Sequence, residues 1–170
     1  MEIEIPKSQK IDTEELSPWI SYKKFIDDKT IGYYCVRDQV VIAYKKAYIQ
    51  DKWDHEKSLI NSRLTSYYET VIIELEIPKK SIIVKPKSFK TSGYRTNMAI
   101  VRDIFKLKNS QSITESRIFP DIVCFSKYNF GYVYEIGQVA IPSERLETDL
   151  DNPLGPGIYF WLDEEKAIEF

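Results

Sequence analysis

The chain has 170 residues and a mass of 20.0 kDa, enough for one hydrophobic core and too little for two ordinary domains. Hydrophobic residues at 43% and charged residues at 29% exclude a disordered or fibrous chain, and the net charge of −2 favours no single class of partner. No apolar run approaches the ~20 residues that cross a bilayer, and Met1 to Ile5 alternates charged with apolar side chains, unlike a signal sequence, so a soluble intracellular protein is expected.

Ser17 fits a helix cap and Pro18 a first helical position. Trp19, Tyr22, Phe25 and Ile26 then recur at helical spacing. This predicts a helical extension within residues 1–32, packed on a β-rich core of residues 33–170. Tyr33 to Val36 and Val40 to Tyr44 are β-rich runs separated by Arg37-Asp38-Gln39, the pattern of a hairpin. A polar stretch follows, with a helix expected around Lys57 to Leu64. Val71 to Ile77 is the clearest strand, continuous in apolar character and then alternating, and Pro78 stops it. Short strands are expected at Ile82 to Val84, Met98 to Phe105, Ile122 to Phe125, Gly131 to Glu135, Val139 to Ile141 and Ile158 to Trp161. A terminal helix from Glu164 to Phe170 would be capped by Asp163. Many short strands with two or three short helices predict a single α+β domain, mainly antiparallel sheet.

Charge is unevenly spread. Residues 79–108 carry nine basic side chains against one acidic, and residues 131–170 carry nine acidic against two basic. The basic segment also holds Phe89, Tyr94 and Phe105, a composition that can grip a nucleic-acid backbone while stacking on bases. The plainer expectation is that the two segments neighbour each other in the fold or between molecules. Cys35 and Cys124 sit among apolar residues and read as buried reduced thiols. One histidine, His55, lies in a polar segment where a surface position is expected; with no paired cysteines, neither a zinc site nor a Cys/His nucleophile is expected, and no cofactor.

The most specific local pattern is Gly155-Pro156-Gly157-Ile158-Tyr159-Phe160-Trp161-Leu162-Asp163-Glu164-Glu165-Lys166-Ala167, a tight turn, an apolar strand and an acidic helix start. This ending resembles that of an uncharacterised C-terminal domain family of phage and large-DNA-virus proteins, often attached to pentapeptide repeats. Ala43-Tyr44-Lys45-Lys46, Val71 to Pro78, Gly93 to Val101 and Tyr134-Glu135-Ile136-Gly137 are similar to further blocks of that family, so the resemblance spans about residues 40–170. Tyr94, Tyr159 and Gly155 stand where the family commonly has cysteine, histidine and cysteine. The resemblance implies a small β-rich domain of viral origin and brings no activity with it. Gly157-Ile158-Tyr159-Phe160 with Glu165 and Ala167 is also similar to the strand and helix of ADP-ribosyltransferases. That likeness implies an inactive NAD-binding domain, with Tyr159 the one cofactor-binding residue.

The leading expectation is a non-enzymatic viral or phage interaction domain, in the host cytoplasm or virion, that binds a protein partner or assembles in a particle. Trp53, Tyr128, Phe130 and Tyr132 are the expected exposed anchors, with Lys85, Lys87 and Lys90 steering the encounter.

Overall fold

The computed structural model describes residues 3–10, 19–20, 32–64, 67–87, 93–107, 110–115 and 121–170. Two sheets share one core. The larger is antiparallel throughout, in the order β10-β7-β4-β3-β8-β9, built from β3 (Val41–Asp51), β4 (Glu69–Ile77), β7 (Ala99–Lys106), β8 (Ile122–Phe125), β9 (Val133–Tyr134) and β10 (Val139–Ala140). The smaller runs β1-β2-β5-β6-β11, from β1 (Trp19–Ile20), β2 (Tyr33–Val36), β5 (Ile82–Lys85), β6 (Tyr94–Thr96) and β11 (Ile158–Phe160); its β1–β2 pair is parallel. Ala43, Ala47, Ile73, Leu75, Val101 and Ile104 from the larger sheet meet Cys35, Ile83, Tyr94, Ile158 and Phe160 from the smaller. The expected mainly antiparallel α+β domain is therefore observed.

The change of pattern along β4 has a structural cause. Val71, Ile73, Leu75 and Ile77 face the shared core, while Ile72 on the opposite face is covered by Trp161 and Ala167. Ala167 belongs to α2 (Glu164–Glu169), whose start is capped by Asp163 accepting from the Glu165 and Lys166 amides. Beyond the reach of α2 the outer face turns polar, and Glu74 and Glu76 pair with Arg102. Arg102 is the extra residue of a bulge in β7, where Glu74 faces Asp103 and Leu75 faces Val101.

Three expectations change. Tyr33–Val36 and the strand after it do not form a hairpin: β2 pairs with β5 and β3 with β4, so residues 37–39 cross from one sheet to the other. The middle helix is α1 (Lys52–Asn61), starting earlier than expected because Asp51 accepts from the Trp53 amide, and ending at Ser62, whose φ of 54° is left-handed. At the N-terminus, Trp19–Ile20 is a strand against Tyr34 and Cys35, not helix; Tyr22, Phe25 and Ile26 lie outside the described residues. Cys35 and Cys124 are buried free thiols, as expected, and burial pushes Cys35 up to about 12 and Cys124 further up.

Candidate functional site

The central strand β3 alternates strictly. Ala43, Lys45, Ala47 and Ile49 point inward, so a lysine occupies a core position between two alanines. Lys45 is 5% exposed, and its Nζ lies 6.0 Å from the centre of the Tyr134 ring. No carboxylate and no hydrogen-bond acceptor among the described residues meets it. Desolvation pulls its pKa down to about 8. Cys124 is the neighbouring ionisable group, and burial keeps it a neutral thiol in the range where Lys45 titrates, so it supplies no counter-charge.

Lys45 contributes to the wall of a cavity of about 670 Å³. One side comes from the β8–β9 connection, with Ser126, Tyr128, Asn129, Tyr132 and Tyr134. Facing it are Tyr159, Trp161 and Phe170, along with Pro153 to Gly157. The rings are held firmly: the Tyr132 hydroxyl donates to the Ile141 carbonyl at 2.6 Å, and the Tyr159 hydroxyl lies 3.0 Å from the Pro153 carbonyl and 2.5 Å from that of Gly155. Burial raises the pKa of both tyrosines, so they remain neutral phenols at physiological pH. Phe170 stacks on Trp161, ring centres 6.1 Å apart and planes within 3°. Tyr128 and Leu154 are 74% and 79% exposed and carry the cavity out to the surface. The wall is thus aromatic and apolar, with a buried amine and a few polar groups, the composition of ligand pockets of this size.

Next to this wall stands a second buried cation. Arg95 on β6 is 0% exposed, and its guanidinium donates to three carbonyls of one loop, Glu147 at 2.8 Å, Asn152 at 2.6 Å and Asp149 at 2.8 Å. It holds the loop that leads into Pro153 to Gly157. Gly155 is required there, since a Cβ would meet Glu147 Cγ at 2.2 Å.

The structure separates the expected anchors. Tyr128 and Tyr132 lie together in the cavity, although Tyr132 is only half-exposed. Phe130 is half-buried, its ring edge-on to Phe125, because its carbonyl accepts from His55 Nε2 at 2.8 Å. His55 is itself 4% exposed against Phe125, a correction to its expected surface position: α1 turns it toward β8. Trp53 is exposed on α1 beneath Lys57 and does not line the cavity. Lys85 cannot steer from the surface, since it is 1% exposed with its Nζ 4.0 Å from the Tyr94 ring centre; its own strand β5 and the Tyr94 strand β6 are both interior to the smaller sheet. Lys87 is exposed and paired with Asp151 at 3.1 Å, while Lys90 lies outside the described residues. The basic and acidic segments therefore meet within the fold, at Lys87–Asp151 and at the Arg95 loop. Tyr159 lines the cavity and His55 does not. Lys45 falls outside the strand expected to end at Tyr44; continuing the two-residue period through Ala47 and Ile49 places it inward.

Among the described residues no helix is long and apolar enough to cross a membrane. No solved structure matches the chain. A family model described as a family of unknown function, DUF5758, matches residues 31–167. The uncharacterized protein L227 of Acanthamoeba polyphaga mimivirus is 95% identical over 170 residues, which is all of both chains. The uncharacterized protein L223 of the same virus is 32% identical over 145 residues, 82% of this chain and 88% of that one. Near-identity to a viral protein over its whole length, with a family match across most of the two-sheet fold, places this chain as a viral member of DUF5758, a family of unknown function.

Proposed function

We propose that the protein is a non-enzymatic recognition module that takes an aromatic side chain of a polypeptide partner, from the virion or the host, into the cavity between the β8–β9 connection and the 153–159 segment. The observation that carries this reading is the ring-lined wall of Tyr128, Tyr132, Tyr159 and Phe170, which continues outward through exposed Tyr128 and Leu154. A preformed aromatic wall gives up large contact area at little entropic cost, and exposed apolar residues around its mouth suit a chain that runs on past the anchor. Rings fixed by hydrogen bonds to backbone carbonyls are preorganised for such an anchor.

Amide chemical-shift mapping with a panel of N-acetyl amino-acid amides tests this. Aromatic members should shift Tyr128, Tyr132, Leu154 and Tyr159, and Tyr128→Ala should weaken the response several-fold. Equal response to polar and aromatic members, or shifts confined to another surface, would refute the reading.

A further inference from the structure

The cavity contains one group that an aromatic anchor alone leaves unexplained. Lys45 is 95% buried by its 5% exposure, sits in the cavity wall, and meets neither carboxylate nor hydrogen-bond acceptor among the described residues. Three other buried or half-buried cations are engaged: Arg95 by three carbonyls, Lys106 by Glu69 at 3.7 Å and Lys85 by the Tyr94 ring. A buried amine without an acid is unfavourable in the unliganded fold and becomes favourable once an acid arrives.

We propose that Lys45 is an acid-binding group, and that the cavity's ligand class is an aromatic residue bearing a carboxylate, as at a polypeptide's C-terminus. This rests on the recognition reading above and adds the charge of the ligand to it. The geometry matches: the amine lies beside Tyr134 on the inner wall, and Tyr128, Tyr132 and Tyr159 line the same space. A ring among the tyrosines therefore brings an attached carboxylate into the same cavity as Lys45. Ser126, Asn129 and Ser143 also line the cavity and offer neutral donors of the kind a carboxylate's remaining lone pairs need. Glu144 is the acidic side chain in the wall; it is exposed, and it makes no ion pair with Lys45. Burial holds the amine at about 8, so at pH 7 most of it is protonated and able to form a charge-assisted hydrogen bond.

The test compares two peptides of the same shape, Ac-Ala-Ala-Phe with a free carboxylate and its C-terminal amide, by chemical-shift titration at pH 7. In the unaltered protein the acid should bind at least tenfold more tightly than the amide, with both mapping to the cavity. Lys45→Met should bring the two within about threefold, chiefly by weakening the acid. Acid and amide binding equally well at the cavity would overturn the role of Lys45 and leave the recognition module standing. Neither peptide reaching the cavity would overturn both. The comparison on the unaltered protein decides the matter even if the variant fails to fold.

Discussion

Arg95 and Lys45 are both cations on interior strands, both almost wholly buried, and they are treated in opposite ways by the fold. Each of the three guanidinium nitrogens of Arg95 donates to a carbonyl, all three from the 147–152 segment. Lys45 has alanines on either side along its strand, a tyrosine ring at 6.0 Å and no acceptor among the described residues. The planar fork of a guanidinium organises a loop, whereas an ammonium can sit at the end of its stem and await a partner. The first cation belongs to the architecture of the cavity, and the second is the group that the proposed ligand would meet.

Breaking the first side of the comparison should have the largest effect. Arg95→Met removes a buried guanidinium and three charge-assisted hydrogen bonds to part-buried carbonyls, each of a kind that contributes about 1.5–3 kcal/mol. A stability loss of at least about 3 kcal/mol is expected, read as a fall in urea midpoint at unchanged slope. A loss under about 1 kcal/mol would mean that water replaces the guanidinium without difficulty.

The Lys45 side should show itself in pH dependence with the opposite sign. Its folded pKa, about 8, is below the ordinary 10.5. Below pH 8 the amine is charged in both states and the fold carries the full cost of burying it. Between pH 8 and 10.5 the folded amine sheds its proton while the unfolded one keeps it, so the cost is relieved by roughly 3 kcal/mol. Lys45→Met should therefore be more stable than the unaltered protein at pH 7, with the gap closing toward pH 10.5. The raised pKa values of Cys35, Cys124 and Tyr134 destabilise the fold above about pH 9, but they do so in both proteins and leave the difference intact. A gap that stays constant between pH 7 and 10.5 would show that Lys45 is solvated after all.

The smallest effect belongs to the exposed cation. Lys87 pairs with Asp151 at 3.1 Å, yet both side chains are more than half exposed. Lys87→Met should alter stability by no more than about 0.5 kcal/mol, and by less as salt is added. A larger change would place this ion pair with Arg95 as a support of the 147–152 loop.

Much of this fold was legible from residue order. β4 announced itself by its apolar run and by Pro78, and its shift from continuous to alternating marks the point where α2 ceases to cover the outer face. Asp163 was readable as a cap because its side chain acts on amides two and three residues away. The missed pairing of β2 with β5 was not readable in this way, since Tyr34 and Val84 are 50 positions apart and nothing local distinguishes a hairpin from a crossing between sheets. The candidate site was half legible. Tyr128, Tyr132 and Tyr159 stand out as aromatic, but Lys85 read by its charge belongs at the surface and Lys45 lies past the strand read to Tyr44, whereas strand phase and sheet position place both inside.

Residue order alone accounts for local matters: strand runs, the terminal cap, buried thiols and an aromatic-rich chain, all of which follow from forces acting over a few residues. Long-range packing settled which rings share a wall and which cation is left without an acceptor among the described residues. Those outcomes depend on long-range pairing, where β3, β8, β9 and the 153–159 segment converge from distant parts of the chain, and on desolvation, which no residue experiences until its neighbours have closed around it.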